Sequence, residues 1–300
     1  MDTMQKATEK RLKALEKELK KLYTSCYSKN KRDFEVKLNK LLKNKKLTVK
    51  EQNEILDILE RLKGIMKQLA TEIKNANVTA SNMINGEMVN VYYDNYNFGG
   101  YLVENASGVN CRYNVYNNNA IKKLLADNVN PFTLITLDES KDLDIIFRLL
   151  KRQFAAAIIN GESINDIAKR VKAATEKNMN DSIRIARTET TRIMSMGRQD
   201  AFKYGENIGL KLKKKWVATA DGRTRDRHLS LMGEMVGLDE RFSNGLEYPG
   251  AFGGSAKEVC NCRCTHVVEF EGIEKTAEEM ELDAKLKDLT YQEWKKRNDL

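Results

Sequence analysis

Long stretches of this sequence repeat apolar residues at alternating spacings of three and four, with almost no proline to interrupt them. The first such series begins after Arg11 and comprises Leu12, Leu15, Leu19, Leu22 and Cys26. The whole chain of 300 residues contains only 2 prolines, and proline strongly disrupts helix interiors. The pattern therefore predicts long amphipathic helices, the first of which packs on a partner helix through this seam.

A second helix is predicted after a break near residues 28–31. Thr48-Val-Lys-Glu51 has the form of a capping box, in which the Thr and Glu side chains bond the first free amides of a helix. Apolar residues at helical spacing then run from Ile55 to Ile73. We interpret residues 1–75 as a basic helical arm or hairpin.

The composition changes after this arm, because residues 76–120 are rich in Asn, Tyr and Gly. The segment from Tyr92 to Tyr101 is an example. It is either a surface binding loop or a connector with helical fragments, and we favour the connector. Asn130-Pro131 marks a stop, so residues 76–137 are assigned as an Asn/Tyr-rich connecting region.

Three consecutive helices with short caps are predicted next. Asp138 caps the first, and Asn160-Gly161 ends it. The second helix starts at Ser163, and the third runs from about Asp181 to Tyr204. Helices joined in this way form a compact bundle.

Strand-like segments follow the bundle, at residues 211–219, 234–236 and 265–270. Asp221-Gly222 is a turn pair, and Thr224 is expected to cap a short helix. The fold class predicted is α+β, mostly α, with a helical N-terminal arm, a helical bundle and a small C-terminal antiparallel β module. Together the bundle and the β module occupy residues 138–270, and residues 271–300 form a charged helical tail.

The formal net charge of +9 is concentrated at the N-terminus, since residues 1–50 contain 16 Lys and Arg against 6 Asp and Glu. Basic charge of this size attracts polyanions through counterion release. A solvated helix face is the alternative. The candidate DNA-binding residues are Lys13, Lys17, Lys20, Lys21, Lys43, Lys45 and Lys46. Few aromatic residues accompany them, which predicts contacts to phosphate without sequence readout.

Features that the sequence lacks limit the cellular compartments in which the chain is expected to act. The sequence has no run of 18 or more apolar residues and no secretory signal at its N-terminus, so a soluble protein is expected. Its five cysteines are odd in number and do not form a disulfide framework. We expect a reducing compartment.

Both histidines and three cysteines lie between residues 228 and 266, which suggests a metal site. Thiolate and imidazole are ligands that zinc prefers, and the candidates are His228, Cys260, Cys262, Cys264 and His266. In an extended strand, alternate cysteines lie roughly 6.5–7 Å apart, whereas two zinc ligands lie within about 4 Å of each other. Chelation therefore requires a curled backbone. The alternative is that the cysteines are small buried side chains on the inner face of a strand.

The run from Asp221 to His228 also allows a catalytic interpretation. His228 would act as general base, with Arg223 or Arg225 holding a phosphate, as in a nuclease. We favour a structural role, in which Asp221 and the arginines tie the turn to the helix. Arg187 and Glu189 are two residues apart on a helix and therefore do not pair with each other.

Several motifs in fixed order resemble the phage Mu F-like minor head protein (head morphogenesis) family. They are Arg187-Thr-Glu-Thr, Gly197-Arg198, Asp221-x-Arg-Thr-Arg-x-x-His228, Tyr248-Pro-Gly250 and Asn261-Cys-Arg-Cys264. The residues that carry the resemblance as motif or structural positions are Arg187, Thr188, Glu189, Trp216, Asp221, Arg223, Thr224, Arg225 and Arg263. The resemblance covers about residues 140–270.

The resemblance implies a non-enzymatic component of a tailed phage or prophage. Such a protein is made in the host bacterial cytoplasm, joins the portal protein and stays inside the capsid near packaged double-stranded DNA, with capsid or scaffold protein as further partners and no membrane in the assembled head. Cys260 stands where family members usually have an aliphatic residue, so a metal would use His228, Cys262 and Cys264. Zinc is the cofactor considered. The alternatives are a metal-dependent nuclease and a zinc-stabilised interaction module that does not bind DNA.

Overall fold

A computed structural model describes residues 2–42, 52–113, 139–160, 162–274 and 281–300. These residues form two compact units. The first unit contains the described parts of 1–13, 86–132 and 184–300, and the second those of 14–85 and 133–183. Among the described helices, none is both long and apolar enough to cross a membrane.

Four long helices make up most of the described chain. They are α1 (Thr3–Leu42), α2 (Gln52–Ser107), α3 (Glu139–Ile159) and α4 (Ile164–Asn207). Helix α3 lies in the second unit, while α1, α2 and α4 contribute residues to both units. The proposed cap at Asp138 and the capping box at residues 48–51 fall outside the described residues.

The Asn/Tyr-rich segment differs from prediction, because α2 continues through it to Ser107. Its polar residues are accommodated within the helix, since the Asn95 side-chain amide donates to the Val91 carbonyl at 2.8 Å. Its glycines allow close packing, because a Cβ atom at Gly99 would lie 2.7 Å from the Cβ of Ala201 on α4. The Asn-, Tyr- and Gly-rich composition that suggested a connector therefore belongs to a helix that packs on another helix. The rest of the predicted connecting region, residues 114–137, lies outside the described residues.

Helix α4 joins the two helices that were predicted separately from Ser163 and Asp181. The polar run between them does not stop the helix, since neither Gly nor Pro occurs from Ser163 to Met196. Asn178 bonds back within the helix, donating from its side chain to the Ala174 carbonyl at 2.9 Å. The break was predicted wrongly because Asn and Asp favour helix ends without requiring them.

In the second unit, the buried faces of α2, α3 and α4 enclose one apolar core. Phe154 lies at its centre and is fully buried. The other members described are Leu59, Leu62, Ile65, Met66, Leu69, Ala70, Ile73, Ile146, Leu150, Ala157, Ile167, Ala168, Val171 and Ala174. Their spacing along each helix follows the three-and-four pattern of the sequence.

In the first unit, a three-stranded antiparallel sheet follows α4. Its strands are β1 (Leu210–Val217), β2 (Met235–Gly237) and β3 (Thr265–Ile273), in the order β2-β1-β3. Alternate residues of β1 are buried, and Leu212 packs in one core with Phe202 of α4. Two one-turn helices, α5 (Asp226–Leu229) and α6 (Ala256–Val259), lie in the connections between strands.

The C-terminal segment, predicted as a charged helical tail from residue 271, is only partly helical, since β3 extends to Ile273, and it is packed. A 3₁₀ helix (Ala284–Asp288) precedes α7 (Tyr291–Arg297). Trp294 is buried, and its indole nitrogen donates to Glu104 Oε2 at 2.6 Å. The predicted fold class, mostly helical α+β with a small antiparallel sheet, is confirmed, while the predicted domain boundaries stay a prediction.

We expect Phe154→Ala to lower the free energy of unfolding by about 3–5 kcal/mol, because it leaves a cavity in a closed core. Ile145→Ala on the same helix is the matched control, since Ile145 is 55% exposed. Circular dichroism during urea denaturation measures both. An equal loss in the two variants would contradict the described core.

Candidate metal site and the contacts that hold it

Three buried side chains form a cluster in the first unit. His228 projects from α5, while Cys262 and Cys264 lie in the loop between α6 and β3. The side chains are 1%, 2% and 1% exposed, respectively. The cluster thus joins two segments that are distant in the sequence, because Cys262 follows His228 by 34 residues.

The loop curls before the strand begins, which brings the two cysteines together. Asn261 has φ 52, a left-handed conformation, and β3 starts only at Thr265. Cys262 and Cys264 therefore precede the strand and do not lie on its inner face, although both are buried, as the alternative to a metal site expects. The conformation supplies the curl that chelation requires, since Asn is among the residues that tolerate it best.

The distances within the cluster suit a tetrahedral metal. The Sγ atoms of Cys262 and Cys264 lie 3.5 Å and 3.4 Å from His228 Nδ1. All three candidate ligand atoms lie within 4.8 Å of one another. A zinc ion with Zn–N about 2.0 Å and Zn–S about 2.3 Å sets nitrogen and sulfur about 3.5 Å apart in a tetrahedron. The cluster can therefore hold a metal without rearrangement of these two pairs.

The other two predicted ligand candidates lie outside the cluster. Cys260 is half-buried at the end of α6. His266 is fully buried on β3, where its ring packs 5.3 Å from Phe202 and 6.3 Å from Tyr248, measured between ring centroids. Burial, with the positive charges of Arg198 and Lys214, holds the pKa of His266 well below its usual value.

The two thiols of the cluster differ in protonation. A hydrogen bond with Cys262 and the adjacent His228 imidazole lower the pKa of Cys264 to about 5, against the opposing effect of burial. The same hydrogen bond and burial raise the pKa of Cys262 well above its usual value. The hydrogen bond with Cys264 raises the pKa of His228. Cys264 is thus a thiolate near neutral pH, and a bound cation would favour loss of the proton from Cys262 as well.

The turn before α5 is tied to the cysteine loop by ion pairs and hydrogen bonds. Arg263 bonds both carboxylate oxygens of Asp221, one of them at 2.7 Å. Arg225 donates to the Cys260 carbonyl, and Thr224 donates to the Thr219 carbonyl. Thr224 therefore closes the turn and does not cap α5, whose N-cap is Arg225. Arg223, which is exposed, lies 3.4 Å from Asp221.

Helix α4 supports the cysteine loop from the other side. Thr191 donates its hydroxyl to the Cys262 carbonyl, and the Asn261 amide donates to the Thr188 hydroxyl at 3.2 Å. Glu189 pairs with Arg192 at 2.6 Å, and Arg187 is exposed. Thr188 of the Arg-Thr-Glu-Thr motif and Thr191, which directly follows the motif, thus hold the loop that carries both thiols.

Sequence reasoning missed one residue beside the cluster. Glu258 on α6 is buried, and its Oε2 lies 3.1 Å from His228 Nε2. The signal available in the sequence was a carboxylate four residues before the candidate ligand Cys262. Trp216 closes another side of the cluster, because its ring stands edge-to-face to His228 at 5.6 Å.

Among the predicted DNA-binding lysines, those of α1 are exposed. Lys13 has 71% of its side chain exposed, Lys21 has 62%, and Lys17 and Lys20 are also exposed. They lie on the side of α1 opposite the buried Leu15 and Leu19. The remaining candidates, Lys43, Lys45 and Lys46, fall outside the described residues.

Residues 149–267 match the family described as Phage Mu protein F like protein. This match confirms the resemblance to phage Mu F-like minor head proteins that was drawn from the motifs.

Two known proteins are similar to this chain, and they differ in how much of each chain the alignment covers. Minor head protein GP7 of Bacillus phage SPP1 is 25% identical over 292 residues, or 94% of this chain and 92% of GP7. NAD(+)–arginine ADP-ribosyltransferase EFV of Enterococcus faecalis strain V583 is 34% identical over 144 residues, or 46% of this chain. The chain spans only 29% of the length of that transferase. No solved structure matches the chain.

We expect Thr191→Val to destabilise the first unit by about 1–3 kcal/mol, because it leaves the buried Cys262 carbonyl without this donor. Ser230→Ala in the same unit is the control, since the hydroxyl of the exposed Ser230 also bonds a backbone carbonyl, that of Arg227. Tryptophan fluorescence during urea denaturation reports on this unit. A change in Thr191→Val no larger than in the control would contradict the bracing role of Thr191.

Proposed function

We propose that this minor head protein works inside the phage capsid beside the portal protein and contacts packaged double-stranded DNA without sequence preference. The observation that carries the proposal is the match to GP7 along 94% of the chain, since the name of that protein places it in the head. Capsid or scaffold protein are further partners, and exit of the protein with the DNA is part of the same proposal.

The exposed lysines of α1 support the DNA contact. Lys13, Lys17 and Lys20 follow one another at spacings of four and three, so they form a row along one side of the helix. A row of flexible ammonium groups suits the phosphates of a duplex and contains nothing that reads base edges. Host cytoplasm would be the site of synthesis and assembly.

The proposal is non-enzymatic. His228, the general base of the nuclease alternative, is 1% exposed and faces the two thiols and Glu258. Of its two phosphate-binding candidates, Arg225 is engaged with the Cys260 carbonyl, and the exposed Arg223 lies 3.4 Å from Asp221. The ADP-ribosyltransferase activity named for the Enterococcus relative stays with that protein, because 71% of its length has no counterpart in the alignment.

For DNA binding, replacing four lysines of α1 by glutamine is expected to weaken affinity for any duplex and to flatten its salt dependence. The variant combines Lys13→Gln, Lys17→Gln, Lys20→Gln and Lys21→Gln. If each lysine neutralises one phosphate, the slope of log affinity against log salt falls by about 3 to 4. Fluorescence anisotropy with two unrelated duplexes across a salt series measures this slope.

The control variant carries the same charge change elsewhere, at the exposed Lys63, Lys67, Lys172 and Lys177. Substitution is used in place of deletion because α1 also supplies the buried Met4 and Leu19. Equal losses in both variants would contradict a specific role of α1. Absence of binding by the wild-type chain at low salt would remove the DNA contact from the proposal.

The portal contact is tested by co-expression with the portal protein of the same phage. The proposal expects a stable complex in size-exclusion chromatography that survives nuclease treatment, since DNA must not bridge the two proteins. Separate elution after nuclease treatment would contradict direct portal contact.

We further propose that the His228, Cys262 and Cys264 cluster binds structural zinc. Its support is the geometry above, with a soft donor set that Zn²⁺ prefers and spacings close to tetrahedral. Zinc would supply cross-links between α5 and the cysteine loop, and no step of catalysis is assigned to it. These three ligands leave a fourth position for a ligand that the cluster does not itself provide.

The zinc proposal predicts about one zinc per chain in protein purified without chelator, and a lower melting temperature after its removal. Ligand binding to the folded state alone stabilises by about 4 kcal/mol at a thousandfold excess over the dissociation constant. Cys262→Ser and Cys264→Ser are expected to lose the metal, whereas Cys260→Ser keeps it. Elemental analysis and calorimetry measure both effects, and a metal-free wild type with unchanged melting behaviour would exclude the site.

A further inference from the structure

We infer that Glu258 is a positioning residue that directs Nδ1 of His228 toward the metal. The inference rests on the zinc site proposed above and adds a residue that is not itself a ligand. Glu258 is buried, and its side chain is 6% exposed. A carboxylate at such a position requires a partner, because an unpaired buried charge is strongly unfavourable.

The partner of Glu258 is the outer nitrogen of the His228 ring. Glu258 Oε2 lies 3.1 Å from Nε2, while Nδ1 faces the thiols at 3.5 Å and 3.4 Å. The two ring nitrogens point away from each other, so a carboxylate at Nε2 cannot reach a metal held at Nδ1. Glu258 therefore belongs outside the ligand set.

The carboxylate determines which nitrogen carries the proton. A neutral imidazole has one N–H donor and one nitrogen acceptor. An acceptor at Nε2 keeps the proton there, which leaves the lone pair of Nδ1 free for the metal. Without Glu258 the opposite tautomer, which directs an N–H toward Cys262 and Cys264, would compete with metal binding and weaken it.

The backbone and two neighbours hold Glu258 in place. It lies on α6, directly before the loop with both thiols, so a single segment delivers the cysteines and the orienting carboxylate. Asn244 donates to Glu258 Oε2 at 3.5 Å. Arg227 approaches Oε1 at 2.9 Å, and its side chain is 67% exposed.

The test compares zinc affinity of the full chain with Glu258→Ala, Glu258→Gln and Arg227→Gln, by competition with a chromophoric chelator. Loss of an outer partner of a zinc-bound histidine weakens affinity by about 10- to 100-fold, which we expect for Glu258→Ala. Glu258→Gln keeps an oxygen acceptor and is expected to retain part of the affinity. Arg227→Gln removes the partner of Oε1 but keeps the contact of Oε2 with His228 Nε2, so it is expected to weaken affinity less than Glu258→Ala does.

A second measurement distinguishes positioning from simple stabilisation. Long-range ¹H–¹⁵N spectra of the imidazole are expected to show the Nε2–H form of His228 in the zinc-loaded wild type. The same spectra can be recorded for Glu258→Gln, so the inference can be tested even if Glu258→Ala does not fold. Unchanged zinc affinity in both Glu258 variants, or an Nδ1–H ring in the wild type, would overturn the inference. A wild type that binds no zinc would instead remove the proposed site itself.

Discussion

A fully buried guanidinium, that of Arg198 on α4, joins four segments of the first unit. It bonds both oxygens of Asp2, at 2.8 Å and 3.1 Å, the side chain of Asn95 on α2 and the backbone carbonyl of His266 on β3. Burial alone would raise the pKa of Asp2, but the guanidinium holds it below its usual value. A buried Arg is tolerable only when its donors are satisfied in this way. The start of α1, the middle of α2 and the first residues of β3 are thereby fixed on one helix.

Close packing around Arg198 depends on the same helix. A Cβ atom at Gly197 would lie 2.6 Å from the Tyr92 carbonyl, so only glycine allows α2 to approach α4 at this point. About two and three turns before Arg198, respectively, Thr191 and Thr188 hold the loop of Cys262. Helix α4 therefore supports the sheet, the cysteine loop and α2 together, and the geometry of the candidate metal site follows from its placement.

This arrangement separates the two parts of the proposed function. The His–Cys cluster is buried, with Trp216 and Glu258 against His228, which suits a fixed cross-link. The lysines of α1 are exposed and carry their charge on flexible side chains. A rigid module and a basic helix surface both agree with the head protein beside DNA that we propose.

The sequence alone determined the helical character, the strands and the family, because apolar periodicity, scarce proline and ordered motifs are local signals. Residue chemistry brought five candidate ligands forward, and the family resemblance reduced them to His228, Cys262 and Cys264. The sequence predicted a connecting region at residues 76–137 and a break before Asp181. Asn95 and Asn178 instead bond back within their own helices, and Gly99 lies in a helix–helix contact. Only the tertiary structure decided that Asn261 curls the loop, that His266 lies apart and that Glu258 meets His228. Those outcomes depend on which distant segments α4 brings together, and no local pattern contains that information.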